Sequence, residues 1–187
     1  MSRLIISSDW HLGHRNILKF RKELGFKHPD QHHEFVLSRA KAFVKKGDTL
    51  YLLGDIAFTK EWLMRIKEIK CRRKVLFLGN HDLERDIKMS DLLEVFDEVL
   101  SLGSKRNCWF THCPMHTDEV RRKKWVIHGH THKHLVDEDN FINVCLEHTN
   151  YEPVTFESLE KLHAKQLAEK RSKRSLKDWA VRLLKRS

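Results

Sequence analysis

Five short apolar segments of the chain each end in a cluster of Asp, Asn or His residues. The segments are residues 3–8, 49–53, 74–78, 108–111 and 125–127, and the clusters that follow are Asp9-Trp10-His11, Asp55, Asn80-His81-Asp82, His112 and His130-Thr131-His132. Their length and apolar content predict buried strands. In α/β sheets, ligands bind outside the carboxyl ends of the strands. The pattern therefore predicts one site assembled from loops that are far apart in sequence.

Segments with helical periodicity separate these strands. Residues 29–46 repeat apolar side chains at helical spacing, and Gly47 follows as a C-cap. Residues 61–70 and 90–96 also carry apolar side chains on one face, and residues 141–146 predict a further strand. Strands that alternate with helices predict an α/β domain.

The residue types at the strand ends are those that bind divalent metal ions. Carboxylates, imidazoles and an amide oxygen suit borderline ions such as Mn, Fe and Zn. They are too many for one tetrahedral site and suit two octahedral-like sites that share a bridging carboxylate. Two ions about 3.5–4 Å apart can clamp a phosphate and generate a bound hydroxide near neutral pH.

Each motif alone also has a simpler interpretation. Asp-x-His and Gly-Asp are common in turns, whose residue preferences they match. The sequence Gly-His-Thr-His at residues 129–132 is the most specific element, because a buried structural histidine rarely comes doubled. The metal-site interpretation depends on all five clusters together.

In chain order, the segments SDWHLGH, LGDIAF, LGNHD, THCP and HGHTH resemble the calcineurin-like metallophosphoesterases. The segment NVCLEHTNYEPVTFESL is similar to the last strands of small single-domain bacterial and phage members. The resemblance covers about residues 2–160. It implies an α/β fold in which a two-sheet β-sandwich is flanked by helices, as four α/β/β/α layers, with the site at one edge.

The resemblance also implies which residues bind metal. One ion would be held by Asp9, His11, Asp55 and His132, and the other by Asp55, Asn80, His112 and His130. Two divalent ions are expected, with Mn first and Fe, Zn or Ni as alternatives. The resemblance implies that His81 lies near the leaving-group oxygen, where an imidazole can donate a proton near pH 7. Many members orient this histidine with the second Asp of Gly-Asp-x-x-Asp; that position is Phe58 here, so Asp82 is the candidate for the role.

Three residues near the first motif are candidates for substrate binding. His14 and Arg15 follow it, and similar small members often have Gly-His there, which implies a phosphate contact. Trp10 could stack on a nucleobase or pack beneath the loop. His128 is expected to pack or to orient a ligand. The other histidines, His32 and His33 among them, are expected at the surface.

The positive charge is concentrated at the C-terminus. Residues 161–187 carry ten Lys and Arg residues and two acidic ones, which accounts for eight of the ten net positive charges. We therefore divide the chain into a metallophosphoesterase domain, residues 1–160, and a basic, partly helical tail, residues 161–187. Residues 175–186 predict an amphipathic helix. Its apolar face is expected to dock on the domain, with nucleic-acid or membrane-surface binding as alternatives.

The sequence thus predicts a phosphoesterase that hydrolyses a phosphomonoester or phosphodiester, with a nucleotide or nucleic acid as the suggested substrate. The alternative is a nucleic-acid-binding or scaffold protein whose metal site is retained but inactive. All seven ligand positions and His81 are present, which favours the enzyme. The four widely spaced cysteines are expected to be reduced. Without a signal-peptide pattern or a transmembrane segment, the protein is expected in the cytoplasm.

Overall fold

The computed structural model contains two β-sheets and describes residues 2–120 and 122–184, with the backbone alone for residues 176–184. The strands are β1 Leu4–Ser7, β2 Thr49–Leu52, β3 Arg73–Phe77, β4 Glu98–Leu100, β5 Leu102–Lys105, β6 Cys108–Thr111, β7 Trp125–His128, β8 Phe141–Asn143 and β9 Val154–Thr155. The α-helices are α1 Ile17–Phe20, α2 Pro29–Phe43, α3 Lys60–Arg65, α4 Met89–Leu93, α5 Thr117–Val120 and α6 Leu159–Leu184. The predicted mixed α/β class is confirmed.

Both sheets are mostly parallel. The first has the order β4-β3-β2-β1-β9, in which only β9 runs antiparallel to its neighbour. The second has the order β5-β6-β7-β8, in which only β5 is antiparallel. Parallel neighbours end at the same edge of a sheet, so the loops after β1, β2 and β3 emerge together. The loops after β6 and β7 emerge together in the same way.

Strand β1 separates two apolar clusters because its side chains alternate between the faces of its sheet. Ile5 packs in a cluster with residues of α2 and α3, whereas Leu4 and Ile6 pack with residues of β3, β6, β7 and β8. Each fully buried side chain of this size stabilises the fold by roughly 1.5–3 kcal/mol. Burial on both faces explains why β1 has an almost continuous apolar sequence.

Helix α2 shows how the local sequence sets an element boundary. Pro29 occupies its first position, where the missing N–H costs nothing. The Gln31 side chain accepts a hydrogen bond from the backbone N–H of His28 at 3.0 Å. This bond gives the N–H group just before the helix a partner. The helix then buries Val36, Leu37 and Ala40 against the first sheet.

Helix α6 begins at Leu159, so it crosses the predicted domain boundary without a break. Gln166 and Lys170 on this helix are buried, and the Lys170 ammonium donates to the Glu138 carbonyl oxygen at 2.6 Å. Helix α6 therefore packs on the rest of the protein through Gln166 and Lys170, whereas residues 171–175 are exposed. The predicted apolar face, with Leu176, Trp179, Ala180, Leu183 and Leu184, lies outside the described side chains. Among the described residues, no helix combines the length and apolar character that a membrane crossing needs.

Candidate metal centre

All seven predicted metal ligands meet where the two sheets present the ends of their parallel strands. Asp9 and His11 follow β1, Asp55 follows β2, Asn80 follows β3, His112 follows β6, and His130 and His132 follow β7. The arrangement agrees with the geometry expected from the sequence, because every contributing strand points its carboxyl end toward the site.

The first group of ligand atoms surrounds Asp9. Its Oδ1 lies 3.6 Å from Nε2 of His11 and 3.9 Å from Nε2 of His132. Ligand atoms of Asp9, His11 and Asp55 all lie within 4.8 Å of one another. A single ion could therefore contact these three residues, which offer two carboxylates and one imidazole; His132 lies within the same distance of Asp9 and Cys145.

The second group surrounds His112. Its Nε2 lies 3.1 Å from Oδ1 of Asn80, 3.2 Å from Nδ1 of His130 and 3.5 Å from Oδ2 of Asp55. Its Nδ1 faces the Leu53 carbonyl oxygen at 2.7 Å, which leaves Nε2 free to face the site. Asp55 reaches both groups and is the carboxylate placed to bridge them.

Five of the seven candidate ligands have a left-handed backbone conformation. They are Asp9, His11, Asp55, His130 and His132, with φ between 46° and 67°. This conformation costs an ordinary L-residue on the order of 1–2 kcal/mol, although Asp and His tolerate it better than most. Strain of this kind clusters at functional sites.

Two positions next to the ligands must be glycine, because atoms of neighbouring ligand loops lie where a Cβ would be. A Cβ on Gly129 would collide with Ser8 Oγ and Asp9 Oδ2, and a Cβ on Gly79 would collide with Oδ1 of Asp55. The loops that carry His130 and Asn80 therefore approach the neighbouring ligands only because these positions lack side chains.

The Asp9 carboxylate is held on one side and open on the other. Its Oδ2 accepts hydrogen bonds from the His130 backbone N–H at 2.9 Å and from the Cys145 thiol at 3.1 Å, and the Ser8 hydroxyl lies 2.5 Å away. Burial raises the pKa of Cys145, so its thiol stays protonated and can donate. Oδ1 of Asp9 and Nε2 of His11 are buried and have no hydrogen-bond partner among the described residues.

These unpartnered atoms and the local charge fit a cation. Burial opposes ionisation of Asp9, yet contacts with His11 and the nearby His112 lower its pKa. Burial opposes the charged form of His112, but the adjacent Asp55 carboxylate raises the pKa of that imidazole to about 9. The site therefore favours the protonated, positively charged form of His112. A divalent ion would compete with that proton for Nε2 of His112.

His81 lies beside this centre, but Asp82 does not contact its ring, and the prediction that Asp82 orients it is wrong. The Asp82 carboxylate accepts hydrogen bonds from the backbone N–H groups of Asp55, Ile56 and Gly79 at 2.7–3.0 Å. Burial raises the pKa of Asp82 to about 6. Asp82 thus holds two ligand loops together. Two other carboxylates lie near the His81 ring: Oε2 of Glu84 is 2.9 Å from Nδ1, without hydrogen-bond geometry, and Oδ2 of Asp55 is 3.9 Å from Nε2.

The structure separates the three predicted substrate-binding residues. Trp10 is fully buried, and its indole N–H donates to the Ser7 hydroxyl oxygen at 2.7 Å, so it cannot stack on a substrate. Arg15 is exposed and does not line the cavity beside the site. His14 does line that cavity. His128 is buried, as expected for a packing residue.

Sequence reasoning missed a buried network behind His132. Oε1 of Glu147 lies 3.1 Å from Nδ1 of His132 and accepts from Arg21 at 3.0 Å. Burial opposes ionisation of Glu147, but His132 and Arg21 lower its pKa to about 2. A carboxylate behind a candidate ligand histidine fixes its ring orientation and tautomer. In the NVCLEHTN segment, Glu147 directly follows the short apolar run of residues 144–146, which is the same strand-end position that marks the candidate ligands.

Arg21 connects this network to a buried histidine pair. Its guanidinium also donates to the Asp9 carbonyl oxygen at 2.6 Å and contacts Nε2 of His32 at 2.8 Å. Burial and the Arg21 charge lower the pKa of His32 to about 2, so the ring is neutral and accepts this bond. Nδ1 of His32 lies 3.1 Å from Nδ1 of His33. The expectation that both histidines lie at the surface is wrong.

A cavity of about 380 Å³ opens beside the centre. His11, His81 and His132 form its inner wall, and Ile17, Phe20 and Phe58 contribute apolar side chains. Glu147 also lines it, and its Oε2 has no hydrogen-bond partner among the described residues. The cavity is thus continuous with the candidate metal centre and mostly apolar away from it.

Comparison with known proteins gives relatives along most of the chain. No protein-family model matches it. The chain is 27% identical to the uncharacterized protein MJ1445 of Methanocaldococcus jannaschii over 172 residues, which is 87% of this chain and 92% of the relative. It is similar in structure to a protein of unknown function, AQ665, from Aquifex aeolicus, with a TM-score of 0.70 and 26% identity over 87% of this chain and 100% of that one.

Two phage proteins share slightly higher sequence identity with a smaller part of the chain. The gene 66 protein of Mycobacterium phage L5 is 30% identical over 169 residues, covering 73% of this chain and 80% of the relative. The gene 66 protein of Mycobacterium phage D29 is 31% identical over 167 residues, covering 73% and 81%. The chain therefore belongs to the same protein family as these gene 66 proteins.

Proposed function

We propose that the chain is a hydrolase that cleaves a phosphomonoester or a phosphodiester with two divalent metal ions as cofactors. The observation that carries the proposal is the convergence of two carboxylates, four imidazoles and one amide from five strand ends. The resemblance of these motifs to the calcineurin-like metallophosphoesterases supports the same function. The three apolar clusters of the fold also support the finer proposal of four α/β/β/α layers.

The two groups of side chains would each hold one ion. Asp9, His11, Asp55 and His132 would hold the first, and Asp55, Asn80, His112 and His130 the second. Mn is the expected metal, with Fe, Zn or Ni as alternatives. Two bound divalent ions would stabilise charge on the phosphoryl oxygens and lower the pKa of an attacking water.

The protein would contribute orientation and a proton. The Asp55 Oδ1 atom accepts from the His81 backbone N–H at 2.9 Å, which ties the position of His81 to that of the bridging carboxylate. The His81 ring is about one-third exposed, so a substrate can reach it. His81 would donate a proton to the leaving-group oxygen, and Glu84 would orient its ring.

A nucleic-acid partner for the basic C-terminal segment is a separate proposal. Part of its charge is already paired: Arg174 contacts Asp137 at 2.8 Å, and Lys173 contacts Glu169 at 2.6 Å. A contact with phosphates would depend on the remaining Lys and Arg residues, and it would weaken as salt concentration rises.

Metal removal tests the proposed function. The full-length chain is treated exhaustively with chelator, its metal content is measured, and hydrolysis of 4-nitrophenyl phosphate and bis(4-nitrophenyl) phosphate is followed. We expect activity to disappear with the metal and to return with Mn, and the two substrates separate monoesterase from diesterase activity. Full activity in protein without detectable metal would overturn the proposal. Bound metal without hydrolysis of any ester would favour the inactive-site alternative.

Asp55→Asn sharpens this test because Asp55 would serve both ions. We expect this variant to lose both metals, whereas His11→Ala and His112→Ala should each weaken one site. Asp30→Asn changes an exposed carboxylate away from the site and is the matched control. If Asp55→Asn retains two ions and ordinary turnover, the bridging role is wrong.

A further inference from the structure

The cavity beside the metal centre is placed to receive part of a substrate. His11, His81 and His132 line the cavity on the side of the metal centre. An ester held at the centre would therefore place one of its substituents in the cavity. His81 is the proposed proton donor to the leaving-group oxygen. Its position on the cavity wall implies that the leaving group, and not the transferred phosphoryl group, extends into this space.

The apolar part of the lining, which lies next to these histidines, favours an apolar group. The Phe58 ring lies 4.8 Å from the His14 ring in an edge-on arrangement and 5.1 Å from the His81 ring. Phe58 is only 5% exposed, so it gives the cavity a fixed apolar lining, and Phe20 is the ring left open for stacking. Ile17 adds an aliphatic side chain to the same wall.

Phe20 supplies a second observation at the cavity mouth. It is 66% exposed, which is the largest exposed fraction among the exposed large apolar side chains of the described residues. Its ring centroid lies 6.0 Å from that of His14. Exposed apolar area beside a concave site is typical of ligand-binding surfaces. A bound ring would cover Phe20 and remove this area from water.

We propose that the cavity selects phosphate esters whose leaving group carries a planar, mostly apolar ring, and that Phe20 contributes to this specificity. The inference rests on the proposed hydrolase function. A simple aryl alcohol and a nucleoside share this ring chemistry. The unpartnered Oε2 of Glu147 would favour a ring that bears a hydrogen-bond donor, as an amino-substituted base does.

The test compares esters and phosphonates with and without a ring on the full-length, Mn-loaded protein. Turnover is measured with ethyl, benzyl and 1-naphthylmethyl phosphate and with adenosine 5′-monophosphate. Binding of ethylphosphonate and (1-naphthylmethyl)phosphonate, which cannot be hydrolysed, is measured by calorimetry. We expect the ring-bearing compounds to be preferred, and the comparison of the naphthyl ester with the nucleotide identifies the source of the ring.

Phe20→Ser should lower the preference for ring-bearing over ethyl compounds about tenfold, as expected for losing one apolar contact in a pocket. Phe20→Trp should retain the preference. Leu93→Ser removes another exposed apolar side chain, 59% exposed on α4, and should leave the ratio unchanged. Circular dichroism checks that each variant is folded.

The two readouts separate failure of the cavity from failure of the function. Equal affinity for the two phosphonates would overturn the cavity proposal even if esters are hydrolysed. Preferential naphthyl binding that Phe20→Ser abolishes, without turnover of any ester, would support the cavity as a binding site and overturn the hydrolase function.

Discussion

Gln166 on α6 makes two hydrogen bonds to the backbone of Asn143, at the end of β8. The Asn143 N–H donates to Oε1 at 3.1 Å, and Nε2 donates to the Asn143 carbonyl oxygen at 2.6 Å. The Asn143 side-chain amide in turn lies within 3.1 Å of Thr131 Oγ1 and of the carbonyl oxygens of His132 and His134. Helix α6 is therefore linked through Asn143 to the loop that carries two candidate ligands.

Gln166→Leu should destabilise the protein by about 1–3 kcal/mol, because both Asn143 backbone groups would be left buried without partners. It should also lower metal occupancy, since the His132 loop loses its support. Urea unfolding and metal analysis measure the two effects. Lys165→Ala alters the exposed neighbour and should change neither. Unchanged metal content in a destabilised variant would mean that Asn143 does not need Gln166 to hold the loop.

The hydrogen bonds between Gln166 and Asn143 change what we expect from removing the C-terminal segment. From the sequence, residues 161–187 are expected to serve docking or binding only. Truncation after Ser175 keeps Gln166, Lys170 and Arg174 and should leave hydrolysis of a small aryl phosphate close to that of the full chain. Truncation after Glu160 removes them and should lower both thermal stability and turnover. Equal activity of the two truncated proteins would show that residues 161–175 do not contribute to catalysis, as the sequence alone suggested.

Gly129→Ala should displace Asp9, because the new Cβ would collide with the carboxylate and with Ser8. We expect a loss of about 1–3 kcal/mol of stability, typical of overpacking, together with loss of metal. Gly47→Ala is the matched control, since nothing lies within 4 Å of its Cβ position. Differential scanning calorimetry and metal analysis compare them. A Gly129→Ala protein with full metal content would show that the loops can separate without harm.

His81→Ala should retain both metals and lose turnover by about 10²–10⁴-fold for esters with poor leaving groups, since general-acid catalysis matters most there. Glu84→Gln should reduce turnover by about tenfold with the same leaving-group dependence if Glu84 orients the His81 ring as proposed. Glu61→Gln, an exposed change on α3, is the control. Rates with a series of aryl and alkyl phosphates give the dependence. A uniform loss across the series would instead indicate electrostatic stabilisation by His81.

Arg21→Gln should cost about 3–5 kcal/mol, because it leaves the buried Glu147 carboxylate without its cation. The guanidinium side chain is fully buried, so solvent would not replace the lost bonds. Arg171→Gln on the exposed surface of α6 should stay within about 0.5 kcal/mol of the parent protein. Chemical denaturation measures both. A small loss for Arg21→Gln would indicate that Glu147 is held by His132 alone.

The parts of the fold that the sequence predicted are those with strong local patterns. Strands β1, β2 and β6 combine apolar runs with polar clusters and were located within a few residues, as was the start of α2 at Pro29; the predicted C-cap Gly47 was wrong, because α2 ends at Phe43 with Val44 as its C-cap. Strands β4 and β5 were missed because neither contains a buried apolar run. Short strands of this kind depend on pairing with a neighbour, which local sequence does not encode.

The candidate ligands could be predicted from the sequence, whereas the residues that support them could not. Asp9, Asp55 and His130 follow apolar strands, and this position alone marks them. Arg21 and Gln166 look like ordinary surface residues in sequence, yet both are buried because they bond to groups that are 12 or more residues away along the chain. For Trp10 the error was the reverse. Its place between two ligands suggested that it is accessible to substrate, but it is buried. Burial of polar groups is decided by tertiary partners.

The left-handed backbone at five candidate ligands affects how metal would be acquired. On the order of 1 kcal/mol or more at each position is spent when the chain folds, and the surrounding packing holds these conformations in place. The ligand shell is thus preorganised, unlike that of a zinc finger, which orders only when the ion arrives. Metal uptake should therefore occur without large structural change and should release a proton from His112.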